Sequence, residues 1–420
     1  MYKMTSFERW QDKASRIIEK LLVISLSGLG ITIFVGWKDV GPFKAFDLVS
    51  LAALLAWRCI VKYHPHNPIP RQVFIASLLF IALSAVSAFM SVDRHFAFVL
   101  LKQYRCIFLG GLLFTAPIGD RYRKYIISVF FLAAAVAGLI GISQYFGLMH
   151  MESVRPDGFS RNPNLYAGPL SIACSSAIVM LFLPKTVIMS RKGISFIMGV
   201  SILTLGGVIL SQSRSIWVAL FASCIITLFL HDRRKTLIFL FLSLMICAIF
   251  ISGSNILRQR MISIVTSVYT EDVSGSTGTR IELWKGALLM FKERPFLGIG
   301  LGDFQPTINN LISENRLKQP TDTHHAHNIY LQVLATRGII GIAVLLLFLI
   351  SLIRWGVKLI KDHNAIGGYI IILITTLAMV GGLTDDHVDF DRFLTASCFT
   401  IGLIGPFGAM RKSENVIVQE

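Results

Sequence analysis

Apolar runs of about 17–25 residues recur along the whole chain, and each is long enough to cross a hydrocarbon core about 30 Å thick. In lipid the backbone N–H and C=O groups have only one another as partners, so such runs predict helices. The runs lie near residues 17–36, 44–61, 73–91, 99–118, 124–147, 165–183, 194–211, 214–231, 235–253, 327–353, 368–384 and 392–410. With 54% hydrophobic and 15% charged residues among 420, nothing remains for a large soluble domain. The expectation is an all-α polytopic membrane protein of about twelve transmembrane helices, a single integral membrane domain over 1–420. The first run follows a basic amphipathic stretch and has no small-residue cleavage site after it, so it reads as a retained signal anchor. The six cysteines (Cys59, Cys106, Cys174, Cys224, Cys247, Cys398) stand singly in apolar runs without metal-ligand spacing and read as small core residues.

Charge orients the bundle, because Lys and Arg are retained on the cytoplasmic side. With the N-terminus inside and strict alternation, Lys62, Arg71, Arg121, Arg123, Lys124, Lys185, Arg191, Lys192, Arg233, Arg234, Lys235, Arg354, Lys358 and Lys361 all fall in inside connections. Outside connections are nearly neutral. The net charge of +16 is therefore a topology signal and not a nucleic-acid footprint, and both termini are expected in the cytoplasm. One connection, 254–326, is far longer than the usual few residues and lies outside. Within it, "TGTRIELWKGALLMFKE" places Thr279 and Glu282 in capping-box spacing with Arg280 at the first helical position. Ile281, Trp284, Leu288 and Phe291 would line the apolar face of a helix lying on the membrane surface. In "RPFLGIGLGDF", Pro295 and the glycines then predict a tight turn.

The chemistry-bearing residues gather on that outer side. In "THHAHNIYLQVLATRGIIG", His324, His325 and His327 crowd the mouth of the tenth span. On a continuous helix from His327, Gly338 would stand only about 20° around from it, and Gly341 close to the same line. Such a stripe suits a lipid tail or another helix passing close beneath; helix packing is the plainer reading. Arg155 and Arg161 precede span six, Arg214 precedes span eight, and Arg280 opens the outer helix. A helix N-terminus favours an anion, and guanidinium donors match phosphate oxygens. Several such sites on one face suggest a diphosphate lipid; solvated or lipid-bound arginines are the alternative. The cluster "DDHVDFD", from Asp385 to Asp391, could join the histidines in a divalent-metal site. Pairing of those carboxylates with Arg337, Arg392 or the outer arginines is the favoured alternative. Arg337, three turns below His327, is expected to snorkel outward.

"GTRIELWKGALLMFKERPFLGIGLGDF" followed by "HNIYLQVLATRGIIG" resembles the shared core of the O-antigen ligase superfamily, which includes lipopolysaccharide O-antigen ligases, Wzy-type polymerases and protein O-oligosaccharyltransferases. The ligase pattern is His, then Asn, Ser or Gln, nine residues, Gly, two residues, and Gly, Thr or Tyr. It falls here on His327, Asn328, Gly338 and Gly341. "GFSRNPNLYAG" and "SQSRSIWVAL" are similar to the segments before spans six and eight. The resemblance implies a GT-C-type glycosyltransferase, independent of ATP and metal and without a cofactor. It would move polysaccharide from undecaprenyl diphosphate to lipid A–core at the periplasmic face of a Gram-negative inner membrane. It carries over Arg214, Arg280 and His327 as essential residues, with Asn164 and Asp389 as weaker matches. Arg155, Arg161, Asn328, Gly338 and Gly341 are the further expected substrate contacts, and membrane lipids the other partners. A Wzy-type polymerase is the nearest alternative, and a twelve-span transporter the alternative of another class. His324 and His325 depart from the pattern and keep the metal alternative open.

Overall fold

The computed structural model describes residues 6–35, 41–60, 68–116, 118–160, 162–182, 190–253, 275–362, 365–385 and 391–406, and the side chains of most of them. Arg161, Asp389 and the 254–274 part of the expected outer segment lie outside the described residues. Among the described residues the secondary structure is helical, without strands. In chain order the helices are α1 (Ser6–Val35), α2 (Gly41–Ile60), α3 (Arg71–Met90), α4 (Arg94–Gln103), α5 (Arg105–Thr115), α6 (Asp120–Tyr145), α7 (Pro163–Phe182) and α8 (Arg191–Leu210). There follow α9 (Arg214–His231), α10 (Arg233–Gly253), α11 (Ser276–Glu293), α12 (Phe304–Ser313), α13 (Ile329–Lys361), α14 (Ala365–Gly381) and α15 (Asp391–Ile404).

Among the described residues, eight units are long and apolar enough to cross a membrane: the Ile17–Val35 part of α1, α3, α4 with α5 as Arg94–Thr115, α6, α7, α8, α9 and α13. The other four expected runs fall on α2, α10 and the shorter α14 and α15. The protein is thus an all-helical, multi-pass membrane protein.

α7 and α14 form the centre. Most of α7 is buried, as befits a helix that is apolar or small-residued all round. Its Ala, Ser, Gly and Cys side chains let neighbouring backbones approach closely. It packs on α8, α9, α14 and α15. α13 meets α14 where Gly356 and Gly368 face each other; a Cβ on Gly368 would stand 2.4 Å from the Gly356 carbonyl oxygen. At the same end of the bundle the fully buried Arg123 donates through Nη1 to the carbonyls of Gly402 (2.9 Å) and Leu403 (3.0 Å). Its Nη2 donates to Ala116 O at 3.1 Å. One guanidinium so satisfies carbonyls that the last turn of α15 leaves without intrahelical partners.

α13 is not continuous. Gly338 has φ 66° and ψ −164°, which breaks the helical ladder. A break inside an apolar bundle would orphan backbone groups at several kcal/mol each. The turn after α11 supplies the missing partners. Ile299 N donates to Ala335 O (2.9 Å) and Gly300 N to Thr336 O (3.2 Å), while Ile339 N donates to Pro295 O (2.8 Å) and Ile340 N to Phe296 O (3.4 Å). Ser87 Oγ adds a bond to Thr336 O at 2.8 Å, and Asp303 accepts from Ser91 Oγ and Val92 N, tying the same turn to the end of α3. The Pro295–Gly300 turn predicted from its residues is present, but its role is to splice a broken helix. Gly338–Lys361 alone, about 36 Å at 1.5 Å per residue, still spans a bilayer core.

Two expectations about α13 are corrected by this geometry. The segment beneath His327 is not an open glycine stripe: a Cβ on Gly338 would meet Phe296 O at 2.2 Å, and one on Gly341 would meet Arg337 Cβ at 2.3 Å. Nor does Arg337 snorkel outward. It is buried, bonded through Nη2 to Tyr104 Oη at 2.5 Å, and stacked on Phe80 and Tyr104 with its guanidinium carbon 5.4 and 5.7 Å from the ring centroids. Aromatic faces hold the cation where no outward path exists.

Gly338→Ala should be severely destabilising, because the left-handed backbone and the Phe296 carbonyl both reject a methyl group. We expect a loss of at least about 2–3 kcal/mol. Thermal unfolding in detergent checks this, with Gly199→Ala as the control, since a Cβ at Gly199 meets nothing within 4 Å.

Candidate functional site

α11 organises the end of the bundle where α13 begins. It begins at Ser276 with Gly275 as N-cap, one turn earlier than the spacing of Thr279 and Glu282 suggested. Those two residues are therefore inside the helix and bind elsewhere. Thr279 Oγ1 meets Thr321 Oγ1 at 2.9 Å, and Glu282 Oε1 accepts from Lys318 N at 2.9 Å. Trp284 Nε1 donates to Ala326 O at 3.0 Å, and Ala326 N donates to Gln332 Oε1 at 2.8 Å. The buried face is Gly278, Thr279, Glu282, Leu283, Gly286, Ala287 and Met290, while Leu288 is exposed. The helix thus docks on protein through small residues and a satisfied carboxylate, and not through the Ile281–Phe291 stripe. Arg280 sits a turn inside α11 and does not open it.

The segment pinned at Lys318, Thr321 and Ala326 delivers His327. This residue precedes α13 and has φ 48°, a left-handed conformation uncommon outside glycine. The helical relation to Gly338 consequently does not hold. Asn328 is the N-cap of α13, accepting from Leu331 N at 3.0 Å and donating through Nδ2 to Leu383 O at 2.9 Å. Ile329 N donates to Gly382 O at 2.8 Å, so the mouth of α13 is tied to the end of α14 just before Asp385.

A polar cavity of about 450 Å³ lies there, lined by Arg155, Asn164, Gln212, Ser213, Arg214, Ser215, Ser276, Thr279, Arg280, Thr321, Asp322 and His327. It brings together Arg155, Asn164, Arg214, Arg280 and His327 from the sequence reading. Asn328, Gly338 and Gly341 are not among its lining residues. A chain of hydrogen bonds crosses it: Ser213 Oγ to Asn164 Oδ1 (2.9 Å), Asn164 Nδ2 to Asp385 Oδ2 (3.1 Å), Asp385 Oδ1 to His327 Nδ1 (3.3 Å), and His327 Nε2 to Asp322 Oδ2 (3.4 Å). Arg155 Nη1 donates to Gln212 O at 3.3 Å and Arg214 Nη2 to Ser276 Oγ at 3.1 Å. Arg214 is the first residue of α9, as its sequence position predicted. Gln212, like His327, has a positive φ, at 55°.

Burial opposes charge on His327, but the hydrogen bonds it makes to the Asp322 and Asp385 carboxylates outweigh that and raise the imidazole above its ordinary value. The His327 contact holds the Asp322 carboxyl well below the usual carboxylate range against its partial burial. Burial lowers Arg280, with Asp385 acting against the shift, and a guanidinium remains charged throughout. Asp322, Gln212, Ser213 and Thr321 were missed by sequence reasoning. Only Asp322 carried a signal, its place two residues before the histidines.

His325, His327 and Asp385 offer ligand atoms within 4.8 Å of one another. Both Asp385 oxygens are already engaged by Asn164 and His327, and Arg280 acts electrostatically on the same carboxylate. That cation disfavours a dication, which supports charge pairing. His324 is exposed, its backbone N–H bonded to Asp322 Oδ1 at 3.0 Å. Arg392 donates to Ser160 Oγ at 2.9 Å.

Guanidinium groups and one imidazole thus converge on a single polar cavity of a multi-pass helical protein. Residues 199–346, about a third of the chain, match the family model described as O-Antigen ligase. The matched stretch holds Arg214, Arg280, Asp322 and His327. The chain is also similar to an uncharacterized protein of Haemophilus influenzae, 23% identical over 252 residues, which is 58% of this chain and 62% of that relative. The match therefore spans less than two thirds of the relative's length.

If the imidazole and guanidinium groups work without metal, EDTA should leave the turnover of purified protein unchanged within about twofold. Activity abolished by EDTA and restored by a divalent ion would assign the His325–His327–Asp385 group to metal.

Proposed function

We propose that this membrane enzyme of the O-antigen ligase and polymerase type is an O-antigen ligase. It transfers polysaccharide from undecaprenyl diphosphate to a sugar hydroxyl of lipid A–core. The observation that carries the reading is the convergence of Arg155, Arg214, Arg280 and His327, from four separate segments, on one cavity. In this reading the chain is a single GT-C-type membrane domain with twelve spans and cytoplasmic termini. The 254–326 segment and the cavity face the periplasm of a Gram-negative inner membrane.

A sugar on a diphosphate is already activated, so the difficulty lies in stabilising the departing diphosphate. Arg214 and Arg280 supply fixed positive charge there; one guanidinium–phosphate contact at 4 Å is worth about 4 kcal/mol at an effective dielectric of 20. Arg155 stands on the same cavity wall as a further donor. His327 accepts the proton of the acceptor hydroxyl as its oxygen bonds to the anomeric carbon and the C–O bond to diphosphate breaks with its electron pair. Asp385, anchored by Asn164, orients the imidazole and stabilises the imidazolium that forms. The result is a single displacement with inversion.

His327→Ala should lower transfer by at least about 10²-fold while leaving protein level and lipid-linked donor intact. Unimpaired transfer by that variant removes His327 from the mechanism. A strain lacking the protein should keep long lipid-linked chains and display a bare core. A single repeat on the core would instead assign it as a polymerase.

The pH dependence has a definite sign. The base must be neutral, and the folded protein holds His327 above 6.5. Transfer should therefore fall as pH drops through a midpoint above 6.5, leaving the imidazolium form inactive. A pH–rate profile of kcat/KM measures that midpoint.

A further inference from the structure

Both ring nitrogens of His327 are occupied, and the two occupants differ. Nδ1 faces Asp385, whose side chain is 0% exposed and whose other oxygen is held by Asn164. That side is fixed and closed to substrate. Nε2 is the nitrogen left for an acceptor hydroxyl, and there stands Asp322, 37% exposed and at a stretched 3.4 Å. The backbone around Asp322 is pinned at Thr321 and Ala326, and its Oδ1 accepts from His324 N. Rotation of the Asp322 side chain frees Nε2 without moving the pinned backbone.

We propose that Asp322 is a positioning residue that latches Nε2 of His327 until the acceptor sugar displaces it, so that the base is uncovered only when an acceptor hydroxyl is in place. This rests on the transferase reading above and adds to it a control on water. A lone water has no other contacts with which to displace an anionic partner from an imidazolium. A sugar held through its remaining hydroxyls does, and spends that binding on opening the latch. On displacement the imidazolium loses its partner carboxylate and releases its proton to water. Nε2 then takes the acceptor proton as the glycosidic bond to diphosphate breaks. The groups facing the imidazole are Asp322 and His325 from its own segment, with the His325 ring centroid 4.2 Å away, Asp385 from the end of α14, and Arg280 from α11. Arg155 and Arg214 lie across the cavity. Removing the Asp322 charge leaves cations and one buried carboxylate, a setting that favours the neutral base.

The test uses the full-length protein in detergent with an undecaprenyl-diphosphate-linked glycan, with and without lipid A–core. Asp322→Asn keeps an oxygen for His324 N and so preserves the turn while removing the charge. Without acceptor, release of free glycan by Asp322→Asn at pH 6 should rise roughly tenfold over wild type, the change expected when the midpoint falls by one unit. The acid limb of the transfer profile should move down by about the same unit, and Asp322→Glu should return both toward wild type. Acceptor-free release and an acid limb both unchanged in Asp322→Asn overturn the latch, as does a Glu variant that behaves like Asn. Wild-type protein that transfers no glycan to lipid A–core overturns the parent reading instead, so the two failures are separable.

Discussion

The half of the protein that holds the cavity depends on four backbone hydrogen bonds at a broken helix. Gly338 interrupts α13, and the Pro295–Gly300 turn takes up the donors and acceptors released there. Neither partner is satisfied without the other: the turn would otherwise bury its own N–H groups beside an apolar bundle, and the helix would leave carbonyls unpaired. Because the turn follows directly on α11, this splice sets the position of α11 against α13. That in turn sets Arg280 against His327. A second closure runs from Glu282, Thr279 and Trp284 to the 318–326 segment, so the two functional groups are held from both sides.

The site combines fixed and yielding parts. Asp385 is buried, Asn164 is half-buried, and the two are bonded, which suits a carboxylate that holds an imidazole in one tautomer. On the cavity wall Arg155 donates to the Gln212 carbonyl and Arg214 to the Ser276 hydroxyl. The two non-glycine residues with positive φ on the cavity wall, Gln212 and His327, hold strained backbone at the place where side chains must converge.

Much of this was legible from the residues. Span lengths and hydropathy foretold the helices, because lipid imposes a rule that tertiary context cannot override. The cavity residues Arg155, Asn164, Arg214, Arg280 and His327 were each singled out by type and position. Geometry was another matter. The wheel relating His327 to Gly338 assumed an unbroken helix and failed at the first residue, where φ is 48°. The capping-box spacing at Thr279 misled because a glycine can cap as well, and the true start lies at Ser276. The face of α11 that packs on protein, through Gly286 and Ala287, was not read from the sequence, because small residues give no hydrophobic stripe. Arg337 turns inward because Tyr104 and Phe80, distant in sequence, offer it an aromatic cradle. Long-range partners of this kind leave no periodic trace.

The hydrogen bond from Asn164 to Asp385 joins residues 221 positions apart. The chain from α7 through α14 must be made before it can close, and until then the imidazole lacks its inner carboxylate. The order of synthesis therefore separates the first wall of the cavity from the group that orients its histidine.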